Sequence, residues 1–129
     1  MPVELKVLGY AALLQFVQFV LMAVPVNKQL GPRYTGGNRD EQKQPWGVAG
    51  RLKRALDNHF EALMLFTIAV VVVVLGEAST PATEAAAWTY LVARVAYVPA
   101  YASGVFLIRS LIWSVGFVAT LVMLLAALF

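Results

Sequence analysis

The sequence has no cysteine and a single histidine, and charged residues fill only 13% of its 129 positions. The missing cysteine excludes disulfides, thiolate metal sites and a cysteine nucleophile together, so any thiol chemistry must take its sulfur from a ligand. His59 has no second imidazole beside it, and Glu61 falls on a different helical face, which argues against a metal site. Ser103, Ser110 and Ser114 have no histidine placed to complete a hydrolase triad, and the glycines form no phosphate loop. The shortage of charge says most, because soluble domains are about 25% charged and about half apolar. Here 60% of residues are hydrophobic and the mean hydropathy is +0.74. A spanning helix takes about 20 residues, so four of them leave no room for a soluble catalytic domain. Any chemistry then falls to residues on or between the helices.

Four long apolar stretches account for most of the chain. Residues 5–26 form the first, interrupted only by Lys6, Gln15 and Gln18, with Pro25 expected to close it. It lacks the basic start, short apolar core and small-residue cleavage site of a signal peptide, and reads as a spanning helix. Residues 27–47 are polar and turn-forming, including Gly36-Gly37 and two prolines, and make the one long loop. The second span, 48–76, begins highly charged after Trp46 and becomes wholly apolar from Ala62. The third, 86–107, carries Arg94 and three tyrosines, and the fourth, 109–128, is apolar throughout. The expected fold is all-α, a single integral membrane domain built as a four-helix bundle. Seven of the ten lysines and arginines lie between positions 27 and 58, and the loop from Glu77 to Glu84 has none. By the positive-inside rule the long loop faces the cytoplasm and both termini lie across the membrane. The net charge of +3 is read in that way, since no basic groove with interleaved aromatics suggests nucleic acid.

Two polar stripes run into these spans. At about 100° per residue, Arg51, Arg54, Asn58 and Glu61 fall within about 80° of one another, while Lys53 and Asp57 point elsewhere. On the third helix Tyr90, Arg94, Tyr97 and Tyr101 fall within about 60°. Charge at the edge of a bilayer must face protein, water or a charged ligand. One reading is an interhelical salt-bridge network, with Glu61 as the partner of Arg94 and Arg54. The other is a ligand site, in which the phenols donate hydrogen bonds to a developing anion. Tyr90 alone would pass as part of an interfacial aromatic belt.

The charged second-helix stretch RLKRALDNHFE and the third-helix stretch ARVAYVPAY together resemble the family of membrane-associated proteins in eicosanoid and glutathione metabolism. The first motif is an arginine followed by alanine, then asparagine four and glutamate seven positions on, met by Arg54, Ala55, Asn58 and Glu61. The second is Ala-Arg with tyrosines three and seven positions beyond the arginine, met by Arg94, Tyr97 and Tyr101. The resemblance implies a homotrimer with a glutathione site at each protomer boundary on the cytoplasmic side, glutathione serving as co-substrate. It implies that Asn58 and Glu61 hold the glutamyl end, with Glu61 on the ammonium and Arg54 near the thiol. Arg94, Tyr97 and Tyr101 would come from the neighbouring protomer, and Lys28 suits a glutathione carboxylate by position. The implied chemistry is thiolate activation by a guanidinium, with Arg109, Tyr97 and Arg54 as catalytic candidates, and attack on a hydrophobic electrophile or lipid peroxide arriving from the bilayer. In the family pattern the activating arginine follows the second tyrosine by seven residues. Here that position is Ile108 and the arginine stands at Arg109, so the turn around Gly104 either absorbs one residue or leaves Arg109 among headgroups as a topology anchor. The rival function is a non-enzymatic member that binds a lipid or a partner protein. A transporter is disfavoured, because the helices lack paired broken segments.

Overall fold

The computed structural model describes residues 1–40 and 42–129, so Glu41 of the long loop lies outside the described residues. It contains α1 (Val3–Leu30), the one-turn α2 (Pro32–Thr35), α3 (Gly47–Leu75), α4 (Pro81–Ala102) and α5 (Phe106–Leu128). The four long helices form an all-α membrane bundle. Val3–Leu30, Gly47–Leu75 and Leu107–Leu128 are long and apolar enough to cross a bilayer. α4 carries the polar stripe, and packs most extensively along α5, as α1 does along α3. Many large apolar side chains, among them Phe16, Val20, Met64 and Leu111, face outward. A bundle whose solvent is lipid has no reason to hide them.

The helix ends differ most from the sequence expectation at three places, each for a local reason. α1 runs through Pro25 to Leu30 instead of stopping. Proline removes one backbone donor but is compatible with helical φ, and such losses are tolerated in spanning helices. The true end is Gly31 at φ 88, whose N–H donates to the Asn27 carbonyl. α4 starts five residues earlier than expected, because Thr80 and Thr83 form a reciprocal capping box and Pro81 occupies the first helical position. It also ends five residues earlier, at Ala102, where Gly104 at φ 79 turns the chain into α5. An L side chain would be strained there.

The core joins all four helices through Val7, Ala11, Phe66, Val70, Tyr90 and Met123. The Tyr90 ring stacks flat on Phe66, with centroids 3.9 Å apart. Small residues let the backbones approach without a hydrophobic driving force between them: Ala69, Ala87 and Ala119 are buried in that core, and Gly116 lies against Tyr90 and Ala93. His59 is fully buried and donates from Nε2 to the Ala11 carbonyl at 3.0 Å, which ties α3 to α1.

At the end of the bundle away from the long loop, the fully buried Glu4 accepts hydrogen bonds from Ser79 Oγ and Thr83 Oγ1, both at 2.7 Å, through one oxygen. This carboxylate links the start of α1 to the cap of α4. Glu4→Ala is expected to destabilise the folded bundle by about 1–3 kcal/mol, because the two charge-assisted hydrogen bonds from Ser79 and the buried Thr83 that join α1 to the start of α4 are lost. Glu4→Gln, which keeps an acceptor oxygen, should cost less. Unfolding of the purified protein in mixed detergent measures both, and an alanine variant as stable as the parent would refute the linkage.

Candidate functional site

The stripe on α3 and the stripe on α4 meet. Arg94 is 2% exposed. Its Nη1 donates to Asn58 Oδ1 at 2.9 Å, and its guanidinium carbon lies 4.4 Å above the centre of the Tyr97 ring. Tyr97 and Tyr101 are neighbouring rings with centroids 5.6 Å apart. Arg54 Nε donates to the Tyr101 hydroxyl at 3.3 Å, and the Arg109 guanidinium carbon stands 4.6 Å over the Tyr101 ring. Arg54, Asn58, Arg94, Tyr97, Tyr101 and Arg109 thus form one connected set within a single chain. Arg94 and Tyr101 on α4 contact Asn58 and Arg54 on α3 within the one chain.

The expected pairing of Glu61 with Arg94 or Arg54 is corrected. No ion pair joins them; Arg94 Nη1 donates instead to the Asn58 amide oxygen, one turn before Glu61. Lys53 and Asp57, which the helical count sets off the stripe, pair with each other at 3.2 Å on an exposed face. Nε and Nη2 of Arg94 and the Tyr90 hydroxyl are buried with no hydrogen-bond partner. Buried guanidinium edges without partners are costly, and they mark where a ligand's acceptor atoms would be most strongly held.

These groups border a cavity of about 400 Å³. Asn58, Glu61, Arg94 and Tyr90 line one part of it, and α5 supplies an apolar wall that includes Trp113 and Phe117. Glu61 is on the open side of the cavity. A site with a polar end for a charged ligand and an apolar wall toward lipid can bring a hydrophilic and a lipophilic reactant together. Lys28 lies in the last turn of α1 at the same end of the bundle, exposed, and no hydrogen bond or ion pair joins it to the set.

The α5 wall had no signal in the sequence. An apolar side chain facing a cavity and one facing lipid obey the same composition, so Trp113 and Phe117 stand out only in three dimensions. The one-residue offset of Arg109 is absorbed by the short turn: α4 stops at Ala102, α5 resumes at Phe106, and the guanidinium returns to Tyr101.

A model of the MAPEG family matches residues 7–129, almost the whole chain. No curated protein and no solved structure matches it.

Proposed function

The chain belongs to the MAPEG family and is a membrane protein of the glutathione and eicosanoid metabolism type, and from that premise we propose that it is a glutathione transferase or peroxidase. In this reading it activates the glutathione thiol for attack on a hydrophobic electrophile or a lipid peroxide. One observation carries the proposal: a single chain joins Arg54, Asn58, Arg94, Tyr97, Tyr101 and Arg109 in one set of contacts, and Asn58 and Arg94 of that set, with Glu61, line a cavity whose other wall is apolar. Three arginines against one glutamate leave two positive charges. Glutathione as thiolate brings two carboxylates, a thiolate and one ammonium, which leave two negative charges.

The roles follow from donor and acceptor chemistry. Glu61, on the open side and without a cationic partner from α4, takes the glutamyl ammonium. Asn58 has its oxygen occupied by Arg94, so its amide N–H groups face a carboxylate of the ligand. The free guanidinium edge of Arg94 adds charge at the same end. Arg54, at the Tyr101 hydroxyl, and Arg109, over the Tyr101 ring, lower the pKa of a thiol placed near them, with Tyr97 and Tyr101 as further donors. Lys28 serves a glutathione carboxylate from the rim. The thiolate lone pair then forms a bond to the electrophilic carbon as the leaving group departs with its electron pair. With a peroxide, sulfur attacks oxygen and the O–O bond breaks to give an alcohol and a sulfenic acid. A second glutathione converts that acid to disulfide and water.

The working unit in this proposal is a homotrimer, with the long loop in the cytoplasm and both termini across the membrane. Detergent-purified protein supplied with glutathione and an aromatic electrophile should form conjugate above the uncatalysed rate, or reduce an organic hydroperoxide. An intact oligomer that does neither would remove the enzymatic reading. If glutathione then also fails to raise its melting temperature, binding falls with it.

A further inference from the structure

Arg51 begins the polar stripe of α3, yet it reaches neither Tyr101 nor Arg94. Its Nε donates instead to the Ala102 carbonyl at 2.8 Å, across 51 residues of chain. Ala102 is the last residue of α4. A helix C-terminus leaves its final four carbonyls without intrahelical partners. Three of the four are met locally: Ser103 N donates to Pro99 O, Ser103 Oγ to Ala100 O, and Gly104 N to Tyr101 O. The fourth, on Ala102, is met by Arg51, and the negative end of the helix dipole favours a cation there.

The same guanidinium also seats the turn. A Cβ built on Gly104 would stand 3.7 Å from Arg51 Nε and 3.8 Å from its Cδ and Cζ, so the φ 79 residue that reverses the chain rests against the Arg51 side chain. On one side of this contact is Tyr101, one residue before Ala102. On the other is the first turn of α5, which carries Arg109. Arg51 therefore holds both the ring and the start of the helix that puts a guanidinium over it.

We propose that Arg51 is a positioning residue that keeps Arg109 over Tyr101 by capping α4 and seating the α4–α5 turn, and so sets the thiol-activating geometry without touching the thiol. The proposal deepens the glutathione reading and rests on it for its chemical consequence. It also explains how an arginine eight residues beyond Tyr101 returns to that ring: the turn is fixed from outside, by α3.

The test uses the full chain in detergent, and the absence of cysteine makes it clean. Val105→Cys, at the start of α5, takes a single nitroxide label in the parent and in Arg51→Gln and Arg51→Lys. The label should become more mobile in Arg51→Gln, with part of the order restored in Arg51→Lys, which can still donate to the Ala102 carbonyl. Without the label, the thiolate fraction of bound glutathione at neutral pH, read from its ultraviolet absorption, should fall about tenfold in Arg51→Gln, the effect of displacing one neighbouring charge. The Kd for glutathione should stay within about threefold, because Asn58 lies about 10 Å further along α3. Unchanged label mobility overturns the proposal. So does greater mobility with an unchanged thiolate fraction, and so does a loss of affinity that matches the loss of thiolate, since Arg51 would then be a ligand of glutathione. If the parent itself binds no thiolate, the glutathione reading fails, while the label still decides whether Arg51 fixes the turn.

Discussion

Glu61→Gln is expected to weaken glutathione binding by about 100-fold or more while leaving the unliganded protein as stable as the parent. Truncating one partner of a poorly hydrated charge pair commonly costs 2–5 kcal/mol, about 30-fold to several thousand-fold, because the remaining charge stays unpaired. Glu61 is suited to such an effect because it lines the cavity, where a bound ligand would cover the pair. The neighbouring guanidinium of Arg94 is engaged by Asn58. Its replacement therefore breaks no ion pair of the bundle and leaves no partner stranded in the core. Thermal protection reads the result directly. At a glutathione concentration about 100 times the parent Kd the ligand adds about 2.7 kcal/mol, and a 100-fold loss of affinity reduces this to about 0.4 kcal/mol. A glutathione analogue without the glutamyl amine supplies the matching half of the cycle: it should bind the parent weakly and lose little more in the variant. Full protection of Glu61→Gln by glutathione would remove Glu61 from the site.

Helical spacing was sufficient to find the polar stripes, and it failed where an atom's partner had to be chosen. Arg51, Arg54, Asn58 and Glu61 do share a face of α3, and the α4 stripe does come to meet it, since both follow from 3.6 residues per turn. Charge complementarity then pointed from Arg94 to Glu61, but the bond goes to the Asn58 oxygen. The choice between two side chains one turn apart depends on the axial offset of α3 and α4, which is set by contacts such as Phe66 on Tyr90. Nothing in a single sequence encodes that offset. The ends of α4 were likewise missed because apolar runs measure lipid exposure and caps measure hydrogen bonding. Thr80-Pro81 and Gly104 carried the second signal. The polar atoms of Gln18, buried and without partners in the chain, read in the sequence only as an interruption of an apolar run.

Moving an arginine by one residue gives the sharpest test of the thiol-activating geometry. Arg109→Leu should lower turnover by about 10- to 100-fold at neutral pH, the thiolate fraction lost when a guanidinium within a few ångströms no longer favours the anion. Glutathione affinity should change little, since the binding is assigned mainly to Asn58, Glu61 and Arg94. The pair Ile108→Arg with Arg109→Ile restores the seven-residue spacing after Tyr101 that the wider family pattern uses. On a straight helix this turns the guanidinium by about 100°. Ile108 is half exposed, whereas Arg109 stands 4.6 Å over the Tyr101 ring. The swapped protein should therefore be as inactive as Arg109→Leu, even though its composition is unchanged and its spacing matches the pattern. Turnover retained by the swap would mean that α5 is free to rotate and that neither the turn at Gly104 nor its contact with Arg51 sets the register. Turnover lost in the swap and in Arg109→Leu, with glutathione still protecting both from heat, would place Arg109 in the chemical step and separate that step from binding.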